Sequence, residues 1–184
     1  MPFLSGERIY LRPLVESDAR GACLIWLNDE EVCRWNRHCV VTYTFDDALA
    51  YVNSSNGETG RLALAIVSRK DDLHIGNISL EGINSTNRTG ELTIIIGEKS
   101  FWRKGYGGEA ARLLCEHAFV AMKMVRVSCG TFEGNTSMRR LAESLGMVEE
   151  GRRRRAVYKH GRHHDVIEYG LLRDEFFRRL KKHG

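Results

Sequence analysis

Residues 91–110 read ELTIIIGEKSFWRKGYGGEA, and this stretch decides the fold. Residues 91–96 are rich in β-branched side chains, and three consecutive isoleucines predict a strand that is buried on both faces. A glycine-rich turn follows at 97–109. Apolar residues then recur every three or four positions over 111–122, which predicts one face of a helix. The stretch is therefore a strand, a glycine-rich turn and a helix.

The glycine-rich turn is suited to an anionic ligand. A helix N-terminus presents unpaired backbone N–H groups and the positive end of the helix dipole, and both favour a phosphate or pyrophosphate. Gly105, Gly107 and Gly108 lack a Cβ, so the backbone can approach a ligand closely. Arg103 and Lys104 add positive charge. The turn matches neither a Walker A loop nor a dinucleotide-binding turn. From these residues alone, a tight turn without a ligand is the alternative.

A second strand–helix unit follows about thirty residues later. Residues 125–131 predict a strand, and residues 135–145 predict a helix that Gly146 ends. If the strands of the two units are neighbours that splay apart, a linear ligand can lie between them and pair with exposed backbone.

The remaining segments place both units in one larger sheet. The predicted order is strand, two helices, three strands, helix, strand, helix and two strands. This order predicts an α/β fold with a mixed, mostly antiparallel central sheet flanked by helices. Nothing in the composition divides the chain, so residues 1–184 are predicted to form a single domain with a short basic C-terminal helix at 173–184. The other predicted elements are strands at 8–12, 62–67, 74–80, from 148 onward and at 165–172, and helices at 16–28 and from 44 towards 56.

The composition excludes several classes of protein. A chain with 42% hydrophobic and 28% charged residues is globular rather than disordered. It contains neither a signal peptide nor a run of about eighteen apolar residues, so we expect no membrane association. The net charge of +4 is modest for a nucleic-acid binder. Five cysteines without a CxxC pair indicate free thiols in a reducing cytoplasm. The histidines show no metal-ligand spacing, so no metal is expected.

The glycine-rich stretch resembles a known family. Residues 101–110 look like the acetyl-CoA pyrophosphate loop of the GNAT superfamily, and residues 135–147 resemble its second motif. Residues 5–172 follow the family's order of elements. The most similar branch contains ribosomal-protein N-terminal and spermidine acetyltransferases. Shorter stretches resemble amino-sugar acetyltransferases of polysaccharide pathways. The resemblance implies acetyl-CoA as co-substrate, bound by Ile95, Ile96, Gly97, Arg103, Lys104, Gly105, Tyr106, Gly107, Gly108 and Asn135.

The resemblance also implies what each part of this set does. The backbone at 95–97 would pair with the pantetheine arm, and residues 103–108 would cradle the pyrophosphate. Asn135 would bond the arm or a nearby backbone group. The chain departs from the family at one important position: many members carry a tyrosine seven residues after this asparagine as the general acid, and here Ala142 stands instead.

Acetyl transfer from a thioester requires an uncharged amine, because an ammonium has no lone pair. A free amine titrates near pH 10, so a base or a water chain must remove its proton at neutral pH. Glu91 is the candidate base, directly or through water; the alternative is a charged residue at a strand edge. Ser137 and Tyr106 are candidates for protonating the leaving thiolate. Alternatively, Ser137 caps its helix and Tyr106 packs on the loop.

The acceptor is expected to be a small-molecule or peptide amine. Trp26, Asn28, Trp35, Asn36 and Arg37 occupy the region where the family's first two helices cover the acceptor pocket, although Trp26 equally suits a core position. A nucleotide-linked amino sugar is the first expected acceptor, by direct transfer in a ternary complex. A protein N-terminus, a polyamine or an aminoglycoside is the alternative. A non-catalytic acyl-CoA-binding regulator is the rival from another class. The oligomeric state, including a homodimer, is left open.

Overall fold

The structure is a computed structural model that describes residues 1–36, 41–54 and 60–183. Its strands are β1 (Leu4–Ser5), β2 (Ile9–Pro13), β3 (Leu62–Ser68), β4 (His74–Asn84), β5 (Thr89–Ile96), β6 (Arg126–Phe132), β7 (Val148–Lys159) and β8 (Arg162–Leu172). Its α-helices are α1 (Glu16–Asp18), α2 (Leu24–Leu27), α3 (Phe45–Ser54), α4 (Tyr106–Val120), α5 (Thr136–Leu145) and α6 (Arg173–His183). A π-helical turn (Ala19–Cys23) joins α1 to α2, and a 3₁₀ turn (Lys99–Phe101) precedes α4.

Within the described residues, all eight strands belong to one sheet, in the order β1-β2-β3-β4-β5-β6-β8-β7. The pair β5 and β6 is parallel, because α4 carries the chain back between them, and the other neighbouring pairs are antiparallel. The predicted mixed, mostly antiparallel sheet flanked by helices is confirmed.

The sheet separates two apolar layers, because alternate side chains of a strand point to opposite faces. On one face, Leu92 and Ile167 pack in a core with Leu114 and Phe119 of α4. On the other face, the small residues Ala63 and Ala65 of β3, together with Val67, pack against α3 and the π-helical turn. The second layer covers only the β2–β4 side. The opposite face of β5, β6 and β8 is therefore left for other contacts.

The helix predicted at 16–28 is interrupted. The backbone of Gly21 has φ −102° and ψ −117°, outside the helical region, and a π-helical turn replaces regular α-helix around it. Glycine tolerates this conformation, and the apolar spacing of the segment gave no sign of it. The two-residue strand β1 was not predicted, since two residues carry no periodic signal. Residues 55–56 of the predicted second helix lie outside the described residues.

A buried ion pair fastens this interrupted helix to the sheet. The carboxylate of Asp18 accepts hydrogen bonds from both Nη atoms of Arg12, at 2.7 and 2.8 Å, and from the backbone N–H of Val15 at 2.8 Å. Nδ1 of His74 lies 3.1 Å from Oδ1 of Asp18. Burial acts to raise the pKa of Asp18, but these partners together hold the pKa well below its usual range. None of the helices in the described part of the chain is both long and apolar enough to cross a membrane.

Candidate active site

Strands β5 and β6 separate soon after they begin. Their parallel pairing comprises Thr89↔Arg126, Gly90↔Val127 and Glu91↔Ser128, and no further pair joins them within the described residues. The hydroxyl of Ser128 donates to the carbonyl of Gly90 at 3.4 Å, where the strands are still together. Beyond this point a gap opens between residues 92–96 of β5 and 129–132 of β6, which we call the strand gap. The splayed strands that the sequence suggested are therefore present.

The glycine-rich turn lies at the wide end of the strand gap. Gly105 is the N-cap of α4 with a φ of 83°, a left-handed conformation that glycine adopts at little cost. A Cβ on Gly107 would stand 3.4 Å from Leu141 of α5 and 3.6 Å from Ile96 of β5, so this glycine packs between α5 and the end of β5. A Cβ on Gly108 would meet no atom within 4 Å. Gly108 is therefore the position where the first turn of α4 leaves open space for a ligand.

A long-range contact that the sequence gave no reason to expect holds this turn in place. The guanidinium of Arg8 donates to Glu109 at 2.9 Å and to the carbonyl of Lys104 at 2.8 Å, and the backbone N–H of Arg8 donates to Glu109 at 2.8 Å. Burial acts to raise the pKa of Glu109, but the donors of Arg8 outweigh it and hold the pKa below its usual range. A carboxylate in the first turn also suits the helix dipole.

Aromatic residues pack around the same turn. Tyr106 meets Phe101 edge-on, with ring centroids 5.0 Å apart, and the Arg8 guanidinium lies 4.7 Å above the Tyr106 ring. The indole N–H of Trp102 donates to the carbonyl of Ile96 at 2.7 Å, which fixes the end of β5. The structure thus uses Tyr106 in packing on the loop, and its proposed role as an acid stays a prediction.

The cap of α5 is Asn135 rather than Ser137. The side chain of Asn135 accepts a hydrogen bond from the backbone N–H of Met138 at 3.1 Å, and Ser137 is exposed in the first turn. The interpretation of Ser137 as the cap is therefore wrong. Ala142, at the family's tyrosine position, is fully buried in the core. A tyrosine would not fit there without displacing its neighbours.

An exposed strip of the sheet lies on the face opposite α4 and α5. It consists of Glu91 and Thr93 of β5, Ser128 and Gly130 of β6, and Glu168 of β8, and we call it the open patch. Strand alternation places these residues together, because their neighbours Leu92, Val127, Cys129 and Ile167 all point into the core on the other face. The open patch contains the point where β5 and β6 separate. A ligand on this face and a ligand in the strand gap would therefore meet there.

Glu91 differs from the other carboxylates of this face in having no partner. Glu81 accepts from Arg61 at 2.9 Å, Glu150 pairs with Arg126, and Glu168 accepts from Arg153 at 2.5 Å. Glu91 has neither an ion pair nor a hydrogen bond from its side chain within the described residues. Its carboxylate is exposed, and it stands where the strand gap begins. It is thus available to accept a proton from a bound amine.

Cys129 is excluded as a nucleophile. It lies on β6 but points away from the open patch, is 1% exposed, and touches the sulfur of Met147. Burial, followed by the charges of Glu91 and Glu168, raises the pKa of Cys129 to about 12. Within the described residues, no three His, Cys, Asp or Glu side chains are grouped so that they could hold a metal ion.

Two of the residues predicted to contact the acceptor, Trp26 and Asn28, make contacts with other residues of the chain. Trp26 is 5% exposed and packs on Gly97, where a Cβ would stand 1.9 Å from the indole. The side-chain amide of Asn28 donates to the carbonyls of Leu24 and Tyr43, both at 3.0 Å. Asn28 still borders a cleft of about 590 Å³, whose other described lining residues are Glu30, Val41, Thr42, Tyr158, Lys159 and His160.

Trp35 and Asn36, two further predicted acceptor residues, lie in the loop after α2. Trp35 covers Gly134, where a Cβ would stand 2.4 Å from its ring, and meets His164 edge-on at 6.0 Å. The ammonium of Lys159 donates to the carbonyls of Cys33 and Asn36, at 2.5 and 2.7 Å, and so ties this loop to the β7–β8 hairpin. Arg37 lies outside the described residues. Contact of these residues with an acceptor stays a prediction.

Splayed parallel strands beside a glycine-rich helix start are the arrangement that the resemblance implies, and comparison with known proteins supports the same family. The model of the acetyltransferase (GNAT) domain matches residues 8–148. The chain belongs to this family of acetyltransferases and is an N-acetyltransferase.

Individual relatives support the same assignment. The chain is 32% identical to the "Putative ribosomal N-acetyltransferase YdaF" of Bacillus subtilis (strain 168), over 92% of this chain and 94% of the relative. A solved "Probable acetyltransferase" is 29% identical with a TM-score of 0.82, over 92% of this chain and 96% of that one. A spermidine N-acetyltransferase from Vibrio cholerae, solved with CoA and spermine, has a TM-score of 0.83 over 94% of this chain and 99% of that one. At 20% identity, this last likeness shows the fold alone.

Proposed function

We propose that this N-acetyltransferase takes its acetyl group from acetyl-CoA and transfers it directly to a primary amine in a ternary complex. One observation supports the proposal. On the α4 face of the sheet, the strand gap lies beside the helix N-terminus, and on the opposite face it begins at the open patch. A linear thioester on the first face and an amine on the second would therefore come together at the point where β5 and β6 separate. Direct attack needs no covalent enzyme intermediate, and the buried thiol of Cys129 offers none.

The residues of the first face fit acetyl-CoA. The α4 N-terminus supplies N–H donors for the pyrophosphate, and the open space at Gly108 lets a phosphate approach them. Arg103 and Lys104 are exposed beside it. The edge of β5 beyond Glu91 does not pair with β6 within the described residues, which leaves room for a pantetheine arm, and the Ile96 carbonyl there also accepts from the indole of Trp102. We propose that residues 95–97 and 103–108 bind the cofactor, with Asn135 holding the adjoining helix start.

We assign the base to Glu91, directly or through one water. Its free carboxylate takes a proton from the acceptor ammonium, and the resulting amine nitrogen attacks the carbonyl carbon of the thioester. The new C–N bond forms and the C–S bond breaks. The second proton that the nitrogen loses on becoming an amide passes to the thiolate, which leaves as the thiol of CoA. Glu81, Glu150 and Glu168 each pair with an arginine, whereas Glu91 pairs with none among the described residues, so its carboxylate is open to a ligand.

We propose a nucleotide-linked amino sugar as the first acceptor. Its hydroxyl groups suit the carboxylates of the open patch, and Arg154 and Arg155 on β7 suit its phosphates. Neither arginine side chain has an ion pair within the described residues. A protein N-terminus is the second candidate, and the name of the Bacillus subtilis relative favours it. Either acceptor presents a primary amine together with further hydrogen-bond donors.

Calorimetric titration followed by a transfer assay tests the proposal. Purified protein is titrated with acetyl-CoA, with CoA and ATP as comparators, and then incubated with acetyl-CoA and a panel of a UDP-linked amino sugar, an N-terminal peptide, spermidine and an aminoglycoside. Mass spectrometry detects the acetylated product. We expect micromolar binding of acetyl-CoA, much weaker binding of ATP, and transfer to the amino sugar. Absence of binding to either CoA species would overturn the proposal. Binding without transfer to any amine would favour the non-catalytic regulator instead.

A further inference from the structure

The open patch contains a second carboxylate whose position depends on a glycine. Glu168 of β8 pairs across the sheet with Gly130 of β6. A Cβ on Gly130 would stand 3.1 Å from Oε2 and 3.4 Å from Oε1 of Glu168. The Glu168 carboxylate therefore leans over β6, into the space that any other residue at position 130 would occupy. It reaches towards the strand gap because Gly130 has no side chain.

The two carboxylate oxygens of Glu168 are not equivalent. Oε1 accepts a hydrogen bond from Nε of Arg153 at 2.5 Å, which orients the group. Oε2, which lies nearest to the Gly130 position, has no hydrogen bond within the described residues. The Glu168 side chain is partly exposed, and Arg153 orients it through Oε1. Oε2 can therefore accept a hydrogen bond from a donor on a ligand.

A matched pair elsewhere in the sheet shows what a purely structural glutamate looks like. Glu150 of β7 leans over Gly170, where a Cβ would stand 2.4 Å from its Oε1. Both of its oxygens bind the guanidinium of Arg126, so neither is left for a ligand. Glu150 lies on the edge strand β7, whereas Glu168 leans over β6 beside the strand gap. The same local arrangement thus leaves a free oxygen only at the site where the acceptor is proposed to bind.

We infer that Oε2 of Glu168 selects the acceptor by binding a second hydrogen-bond donor, a hydroxyl or an ammonium that accompanies the reacting amine. This inference rests on the proposed function. Glu91 acts on the reacting nitrogen and pairs with Ser128 of β6. Glu168 lies on β8, on the far side of β6 from Glu91, opposite Gly130, which is two residues beyond Ser128. The preferred acceptors are consequently amines that carry a further donor group, and simple alkyl amines are poor substrates.

Two pairs of amines test this selection. Glucosamine is compared with cyclohexylamine, which has an amine on a six-membered ring without hydroxyls, and spermidine is compared with butylamine. In each pair, kcat/KM of the amine with the second donor is divided by kcat/KM of the simple amine. This ratio measures the contribution of the second donor. We expect Glu168→Gln to lower at least one ratio about tenfold, the effect of weakening one hydrogen bond to a charged group. A change confined to the glucosamine pair identifies a hydroxyl, and a change confined to the spermidine pair identifies an ammonium.

Two further variants separate selection from a general loss of structure. Gly130→Ala should lower the same ratio by about threefold, since its Cβ forces the carboxylate to move by a few tenths of an ångström. Glu150→Gln is the matched control and should leave both ratios unchanged. Titration with acetyl-CoA verifies that each variant still binds the cofactor.

The outcomes also distinguish this inference from the proposed function. A wild-type chain that transfers acetyl groups, with ratios that Glu168→Gln and Gly130→Ala leave unchanged, overturns the role of Glu168 alone. Equal losses in Glu150→Gln and Glu168→Gln do the same. A wild-type chain that binds acetyl-CoA but acetylates none of the four amines and none of the acceptor panel overturns both.

Discussion

The two faces of the proposed active site are built in different ways. The proposed cofactor face comes mostly from one continuous stretch, residues 95–108, in which strand, turn and helix start follow each other directly. The open patch on the other face comes from three strands whose residues are separated by up to 77 positions, from Glu91 to Glu168. A ligand that binds backbone N–H groups needs only a local conformation, whereas a ligand recognised by side chains needs strands in register. The first face is therefore readable from a motif, and the second is not.

The largest effect should follow a substitution on the cofactor face. Gly108→Glu places a negative side chain in the open space before the α4 N-terminus, where the pyrophosphate is proposed to bind. We expect acetyl-CoA affinity to fall by more than about a hundredfold by calorimetry, because steric exclusion and charge repulsion add. Gly107→Glu should also abolish binding, but Gly107 touches Leu141 and Ile96, so it tests packing as well.

Gly151→Glu provides the matched control for Gly108→Glu. A Cβ on Gly151 also meets nothing within 4 Å, and this residue lies on the edge strand β7. It adds the same charge to the same kind of space away from the cofactor face. Equal loss of affinity in both variants, or unchanged affinity in Gly108→Glu, would contradict the assignment of the loop.

Substitution of Glu91 should affect the reaction without affecting cofactor binding. Glu91→Gln preserves shape and removes the base, so we expect kcat/KM to fall by about a hundredfold and its rise with pH to flatten. Acetyl-CoA affinity should be unchanged, since Glu91 points to the opposite face of the sheet from α4. Steady-state rates across a pH series check the prediction. An unaltered pH profile would remove Glu91 as the base.

The stability of the helical layer beside the open patch should depend on the ion pair between Asp18 and Arg12. Asp18→Asn weakens a buried carboxylate–guanidinium pair and should lower the free energy of unfolding by about 3 kcal/mol at pH 7. Because folding lowers the pKa of Asp18, its stabilisation is present above the usual pKa of 3.8 and is lost as pH falls through the folded value. Wild type and variant should therefore converge in acid.

Urea denaturation at pH 7 and in a series down to pH 2 measures this convergence. Glu16→Gln is the control, because Glu16 forms an exposed ion pair with Arg20, and pairs of this kind contribute about 0.5 kcal/mol or less. A difference between wild type and Asp18→Asn that stays constant through the acid range would contradict the linkage.

The smallest effect should come from the contact that positions the loop. Arg8→Met removes the donors to Glu109 and to the carbonyl of Lys104, but the backbone N–H of Arg8 still donates to Glu109. We expect acetyl-CoA affinity to fall by about five- to tenfold, since two guanidinium hydrogen bonds that order the loop are lost. The KM of the acceptor should stay within about twofold. Arg20→Met is the control. A variant in which only the acceptor KM changes would contradict the assignment of Arg8 to the cofactor face.

Much of the fold could be predicted, because its information is local. Short runs of apolar and β-branched residues placed most of the strands, and three- and four-residue spacing placed α3, α4 and α5. Residues 101–110 were also enough to predict the glycine-rich start of α4, and its role as the cofactor loop stays a prediction. Where local signals were weak or ambiguous, the prediction was incomplete. Gly21 interrupted a helix that its neighbours suggested, and Asn135 rather than Ser137 proved to be the cap of α5.

The sequence by itself determined most of the element order, the family and the glycine-rich start of α4, because each depends on residues that are close along the chain. The tertiary structure alone decided which side chains meet across the sheet. It brought Arg8 to Glu109 over 101 residues, packed Trp26 on Gly97, and left Oε2 of Glu168 free above Gly130. Such contacts depend on strand register and on which face each side chain points to. A shift of one residue in strand register would move every side chain to the opposite face and change its cross-strand partner. A linear motif does not specify the register.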